Sequence, residues 1–161
     1  MRLISTYRWS CLLDSFCMVL NIDPKIAIDF LGHDGSDRVW PNHIEPYCRR
    51  GFHIQEMIML ALQYNHTVTE IQTVSCCAPT LIAEPLYSRV MDFDRVLENS
   101  IGVLYRPGHA AAWNREKVFD PKGIIFDTYK AWKPTIFYMI SGSEYGRDFR
   151  IRSERAVSDL A

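Results

Sequence analysis

Apolar positions recur at helical spacing in the first part of the chain and alternate in the last part. In residues 10–20 (SCLLDSFCMVL), Leu13, Phe16, Cys17 and Leu20 fall on one face, the signature of an amphipathic helix. Ser10 precedes the apolar stripe as an N-cap, and its hydroxyl is expected to accept from the open N–H groups of the first turn. Pro24 suits the first turn of a second helix, which Gly32 ends. Residues 33–41 (HDGSDRVWP) read as a loop. A third helix is predicted over 54–64, with Ile54, Ile58, Ala61 and Leu62 on its buried stripe.

The period then switches. Residues 67–74 (TVTEIQTV) alternate and are rich in β-branched side chains, as a half-buried strand requires. Residues 76–88 contain two prolines and read as a surface loop, followed by a short helix at 93–98. Three strand-like runs follow at 101–106, 109–113 and 135–140, with 117–119 as a short extra pairing segment. Helices first and strands later indicate an α+β fold, N-terminal helices packing on a mainly antiparallel C-terminal sheet. No linker or repeat divides the 161 residues, so one domain over 1–161 is expected, with 147–161 as a peripheral tail of arginines interleaved with acids.

Eighteen Lys and Arg against nineteen Asp and Glu leave a formal charge of -1, which offers no footprint for nucleic acid or an anionic membrane. No apolar run approaches the ~20 residues that span a bilayer. Residues 1–10 lack the layout of a signal peptide. The five cysteines (11, 17, 48, 76 and 77) are odd in number and irregularly spaced, which predicts reduced thiols in a cytoplasm-like compartment. Cys76 and Cys77 read as loop or core residues, and Arg49-Arg50 as solvated surface. His33, His43, Cys48 and His53 recur within a short window, but their spacing matches none of the usual zinc motifs, and no metal is expected.

The informative segment is 108–123, GHAAAWNREKVFDPKG. It reads as a hairpin with strands HAAAW and VFDP joined by the four-residue turn NREK. His109 starts the first strand and Asp120 ends the second, so both lie at one end, where antiparallel neighbours sit about 5 Å apart. That is within reach of a carboxylate–imidazole bond, and the small alanines leave space for a third group. Trp113 lies on the His109 face by parity and is expected to flank the ring, whereas Trp40 and Trp132 read as core or rim aromatics. Cys11 is the candidate nucleophile. It opens an apolar helix, where free N–H groups and the helix dipole favour negative charge, and a neighbouring imidazolium stabilises a thiolate. Cys17, inside the apolar stripe of the same helix, reads as core.

A cysteine opening an N-terminal helix, followed by a strand histidine and then Asp-Pro-x-Gly, resembles the papain-like cysteine peptidases. The likeness spans roughly residues 5–125 and is greatest to the double-glycine leader peptidases that process bacteriocin precursors, and to small bacterial and phage proteins similar to them. SCLLDSFCMVL corresponds to the nucleophile helix, and GHAAAW and VFDPKG to the His and Asp strands. The resemblance implies a papain-like fold and hydrolysis of a peptide or isopeptide bond through a thioester. Cys11 would be the nucleophile, His109 the general base and Asp120 the residue that orients the ring, with no cofactor. The implied partner is a protein or peptide substrate, met by a freestanding intracellular or phage-encoded protein. Such enzymes usually carry a glutamine five or six residues before the nucleophile to complete the oxyanion hole. Residues 5–10 here are Ser5, Thr6, Tyr7, Arg8, Trp9 and Ser10. Losing one oxyanion donor costs about 10²–10³ in rate, so Ser5, Thr6 or Tyr7 substitutes, or catalysis is weak, or the fold serves to bind and inhibit a partner protein.

Overall fold

The computed structural model describes residues 1–72 and 93–142, in which three helices precede a sheet. Helices α1 (Cys11–Leu20), α2 (Pro24–Leu31) and α3 (Ile54–Gln63) lead into β1 (His66–Gln72). Then come α4 (Phe93–Asn99), β2 (Gly102–Arg106), β3 (His109–Trp113), β4 (Val118–Asp120), β5 (Ile124–Phe126), α5 (Tyr129–Trp132) and β6 (Ile136–Gly142). The six strands form one sheet in the order β1-β6-β2-β3-β4-β5, every pairing antiparallel. The fold is α+β, with an antiparallel sheet. No helix among the described residues is long and apolar enough to cross a membrane.

Each face of the sheet carries a core. On one, Leu13, Phe16 and Cys17 of α1 with Met57 and Leu60 of α3 close over Val103, Ala110, Tyr138 and Ile140. On the other, Leu97 and Trp132 cover Leu104, Ala111, Trp113, Val118 and Phe137. Strand β3 is therefore buried on both sides at every position, which is why HAAAW shows no polar alternation. Its alanines let α1 approach closely: Ala110 joins the α1 core, and Ala112 meets Met18. Fully buried Leu13 and Phe16 each contribute about 1.5–3 kcal/mol relative to exposure. Pro107 and Gly108 join β2 to β3, with Arg106 paired to His109. Gly108 takes φ 76°, a backbone region that glycine enters without strain, and so begins β3 at the histidine.

Several expectations need correction. Ser10 stands at the N-cap position of α1, but its side chain caps no N–H of the first turn, because Asp14 and Tyr7 engage its hydroxyl. Helix α3 buries Met57, Leu60 and Ala61, whereas Leu62 is 57% exposed, so the stripe lies one position away from the expected one. Strand β5 and helix α5, on which Trp132 sits, were not anticipated. The predicted strand is described through Gln72. Its last two positions, the 76–88 loop with Cys76 and Cys77, and the 147–161 tail lie outside the described residues.

Candidate active site

The hairpin forms much as its sequence implies. The Asn114 side chain accepts from the N–H groups of Glu116 (3.1 Å) and Lys117 (2.8 Å), closing the four-residue turn. Ala112 pairs with Phe119 and Trp113 with Val118. Carried one step further, this register puts Asp120 opposite Ala111, a diagonal step from His109 on the same face. The ring Nε2 lies 2.9 Å from both carboxylate oxygens of Asp120. Asp120 accepts two further bonds, from the Lys122 N–H (2.9 Å) and the Trp132 indole N–H (3.2 Å). Its carboxylate thus organises the Asp-Pro-Lys-Gly turn and grips the histidine at once.

Cys11 stands half-buried at the start of α1, lining the same groove as the imidazole and close enough to interact with it electrostatically. Burial opposes the charged ring, but the bonds to Asp120 and then Cys11, with the negative charge of both, outweigh it and hold His109 up at about 9. The imidazolium is therefore the neutral-pH form. Burial also opposes the Asp120 carboxylate, yet the bonds from His109, the Lys122 amide and Trp132 hold it below the usual carboxylate range. Cys17 provides the contrast: burial, with Asp14 and Asp23 nearby, pushes its thiol up to about 12 and leaves it inert.

Three groups here were not singled out by sequence. The aromatic against His109 is Trp132, centroids 5.8 Å apart, while Trp113 donates its indole N–H to Leu97 O (2.8 Å) in the core. Arg106 lies 4.5 Å over the Trp132 ring and donates to its carbonyl (3.1 Å). On the opposite wall, fully buried Asp14 accepts from the Thr6 N–H (2.9 Å), the Thr6 hydroxyl (2.7 Å) and the Ser10 hydroxyl (2.7 Å). Burial pushes its pKa up despite these bonds. This carboxylate ties residues 6–10 across the start of α1. Acids at helical spacing from a serine ordinarily signal a polar face, so the tie had no signature in the pattern.

A groove of about 800 Å³ opens over Cys11 and His109. The strap of residues 5–9 forms one wall, and Gly108, Pro121 and Lys122 another. Glu45, Pro46 and Tyr47 close it from the 33–52 loop, which is clasped to the strap by the Trp9 indole N–H to Asp34 O (3.1 Å). Gly35 sits so close to Gly51 that a Cβ there would meet the Gly51 oxygen at 2.7 Å. Arg49, expected as solvated surface, instead packs 5.2 Å over Trp9, donates to Ser36 O (2.8 Å) and pairs with Glu45. Arg50 pairs with Glu56 at 2.8 Å, as does His33 at 2.9 Å. His53 caps α3, Cys48 is buried, and exposed His43 packs against Trp40. No group of three or more His, Cys, Asp or Glu is placed to hold a metal among the described residues.

Comparison of the chain with protein-family models, curated proteins and solved structures finds no match.

Proposed function

We propose that this domain is a papain-like cysteine hydrolase that cleaves a peptide or isopeptide bond with Cys11, His109 and Asp120. The observation that carries this reading is the buried His109 ring, gripped by Asp120 through Nε2 at 2.9 Å and lining the same groove as Cys11, with which it interacts. In the first half-reaction the Cys11 sulfur bonds to the carbonyl carbon. The carbon–nitrogen bond breaks as His109 gives its proton to the departing amine, leaving a thioester. The neutral ring then takes a proton from water, whose oxygen bonds to the carbonyl carbon. The carbon–sulfur bond breaks, returning the thiolate and the imidazolium. The first-turn N–H groups of α1, which no side chain caps, and the positive end of the helix offer stabilisation to negative charge on the carbonyl oxygen.

A second reading draws on one observation. No glutamine precedes Cys11 in residues 5–10, and Thr6 spends both its N–H and its hydroxyl on Asp14. A domain short of an oxyanion donor serves better to bind and inhibit a partner protein than to turn over substrate. Alkylation by a thiol-directed electrophile at neutral pH separates the two. The hydrolase reading expects rapid labelling at Cys11, lost in His109→Ala and retained in Cys17→Ser. Labelling of Cys11 no faster than a free thiol, indifferent to His109, overturns it.

A further inference from the structure

The charge of the groove points to what it selects. Two cations line it: Arg8 on the strap and Lys122 just beyond Asp120. Both side chains are exposed, and neither is paired with an acid among the described residues. The acid on the lining is Glu45, and Arg49 engages it through Nε (3.1 Å) and a second guanidinium nitrogen. That guanidinium is itself fixed over Trp9 and on Ser36 O, so Glu45 stays neutralised. Asp120, beneath the same wall, is turned to His109 and Trp132. The charge of a protonated His109 is offset by the Asp120 carboxylate beside it, so Arg8 and Lys122 carry the positive field of the groove. Low-dielectric walls, here the stacked Tyr7 and Trp9 rings (5.2 Å, 8°), concentrate such a field within a cleft.

We infer that the groove selects a peptide segment bearing a carboxylate next to the bond presented to Cys11, recognised by Arg8 and Lys122. This rests on the hydrolase reading for the role of Cys11 but not for the charge of the groove. Two sources share the chemistry, an acidic side chain and a free chain terminus. An exposed ion pair contributes modestly, so each cation is expected to give roughly a two- to fivefold preference that salt screens.

Two measurements test it. The first compares second-order rates of Cys11 alkylation by iodoacetate and iodoacetamide, an anionic and a neutral reagent of one chemistry. The ratio favours iodoacetate at low salt and falls about two- to fivefold in Arg8→Gln and in Lys122→Gln. An undiminished ratio in the double variant overturns the inference, since His109 alone would then account for it. Should Cys11 prove unreactive, the hydrolase reading fails, and the second measurement decides the inference by itself. It titrates the Cys11→Ala protein with three peptides, following the Gly108 and Lys122 amide resonances. These are acetyl-alanyl-glutamyl-alanine amide, its glutaminyl counterpart, and the glutaminyl peptide with a free terminal carboxylate. Tighter binding of the first assigns a side-chain acid, and tighter binding of the third assigns a terminus. Equal binding of all three overturns the inference.

Discussion

The two walls of the groove are held by different means. On the hairpin wall, His109 is gripped by Asp120 and covered by Trp132. Asp120 is fixed in turn by a backbone amide and an indole, and Trp132 by Arg106. These supports come from β2, β3, β4 and α5, so the histidine is positioned redundantly. On the strap wall, residues 6–10 cross the start of α1, tied by one buried carboxylate, Asp14, which accepts three bonds, and clasped to the 33–52 loop through Trp9. The electrostatics differ likewise. Net interaction favours the charged forms of His109 and Asp120, whereas burial disfavours the charge on Asp14. A site built this way has an imidazole held by a network of strand and helix partners, facing a strap tied by one buried acid and a loop clasp.

The largest expected effect comes from removing the charge at the centre of the hairpin wall. Asp120→Asn keeps the shape but withdraws the carboxylate. Reaction at Cys11 at neutral pH should fall by about 10²-fold or more, the range associated with an acid–base partner. Followed through its ring protons, His109 titration should move from about 9 toward the ordinary 6.5. The linked stability has a definite sign. His109 binds its proton more tightly folded than unfolded, so its contribution is fully present below 6.5 and is lost as pH rises through about 9. Asp120 behaves oppositely: its contribution is present above 3.8 and is lost as pH falls through its lowered folded value. Denaturant midpoints across this pH span should decline at both ends in the parent and flatten in Asp120→Asn. An unchanged alkaline decline would show that His109 owes its proton to other groups.

On the strap wall a single truncation should release a whole segment. Asp14→Ala leaves the Thr6 N–H and the Thr6 and Ser10 hydroxyls without this acceptor, although Thr6 is exposed to water and the Ser10 hydroxyl still reaches Tyr7 O at 3.0 Å. A buried polar group left unpaired costs about 1–3 kcal/mol. Water at Thr6, the Tyr7 carbonyl and relief of the burial penalty on Asp14 offset part of that cost, so a net loss of about 1–2 kcal/mol is expected. Denaturant unfolding measures the total, and amide exchange at Thr6 and Tyr7 reports on the strap itself. Asp14→Asn should fall between, because its amide presents hydrogens to groups that also donate. Retained protection of the Thr6 amide would mean that the Trp9–Asp34 clasp holds the strap without Asp14.

This contrast also marks what the sequence could reveal. The His109–Asp120 bond joins residues eleven positions apart through one hairpin, and a turn residue with flanking strand patterns is a local signal. Helix α1 and its buried Cys17 follow from apolar spacing in the same way. The strap was not legible, because Asp14 interrupts an apolar face and pattern alone does not assign a buried acid to backbone partners before the helix. The same acid removed Ser10 from the capping role that its position suggested. Trp132 was missed for a topological reason: it reaches Asp120 only after β5 and α5 turn the chain back under β3. The expectation for Trp113 was correct in parity, yet its indole is drawn away by the Leu97 carbonyl. The placement of Cys11 with His109 depends on how α1 lies against Ala110 and Ala112, a packing fact whose local trace is the run of small alanines.

The smallest expected effect tests whether the hairpin wall is as redundant as its contacts imply. Trp132→Phe keeps an aromatic ring beside His109 but removes the indole N–H that donates to Asp120 Oδ2 at 3.2 Å. Two Nε2 contacts and the Lys122 amide remain on the carboxylate, so Asp120 should keep its orientation. At 3.2 Å the bond is at the long end of its range, so it is worth about 1 kcal/mol, which corresponds to a three- to tenfold fall in reactivity at Cys11. The smaller ring also leaves space in the core, and the stability lost there is read separately by unfolding. Titration of His109 distinguishes the two consequences. A position-dependent loss through Asp120 lowers the ring's pKa slightly, whereas a cavity alone leaves it at about 9. A fall in reactivity as large as that of Asp120→Asn would contradict redundancy and make Trp132 the main support of its side.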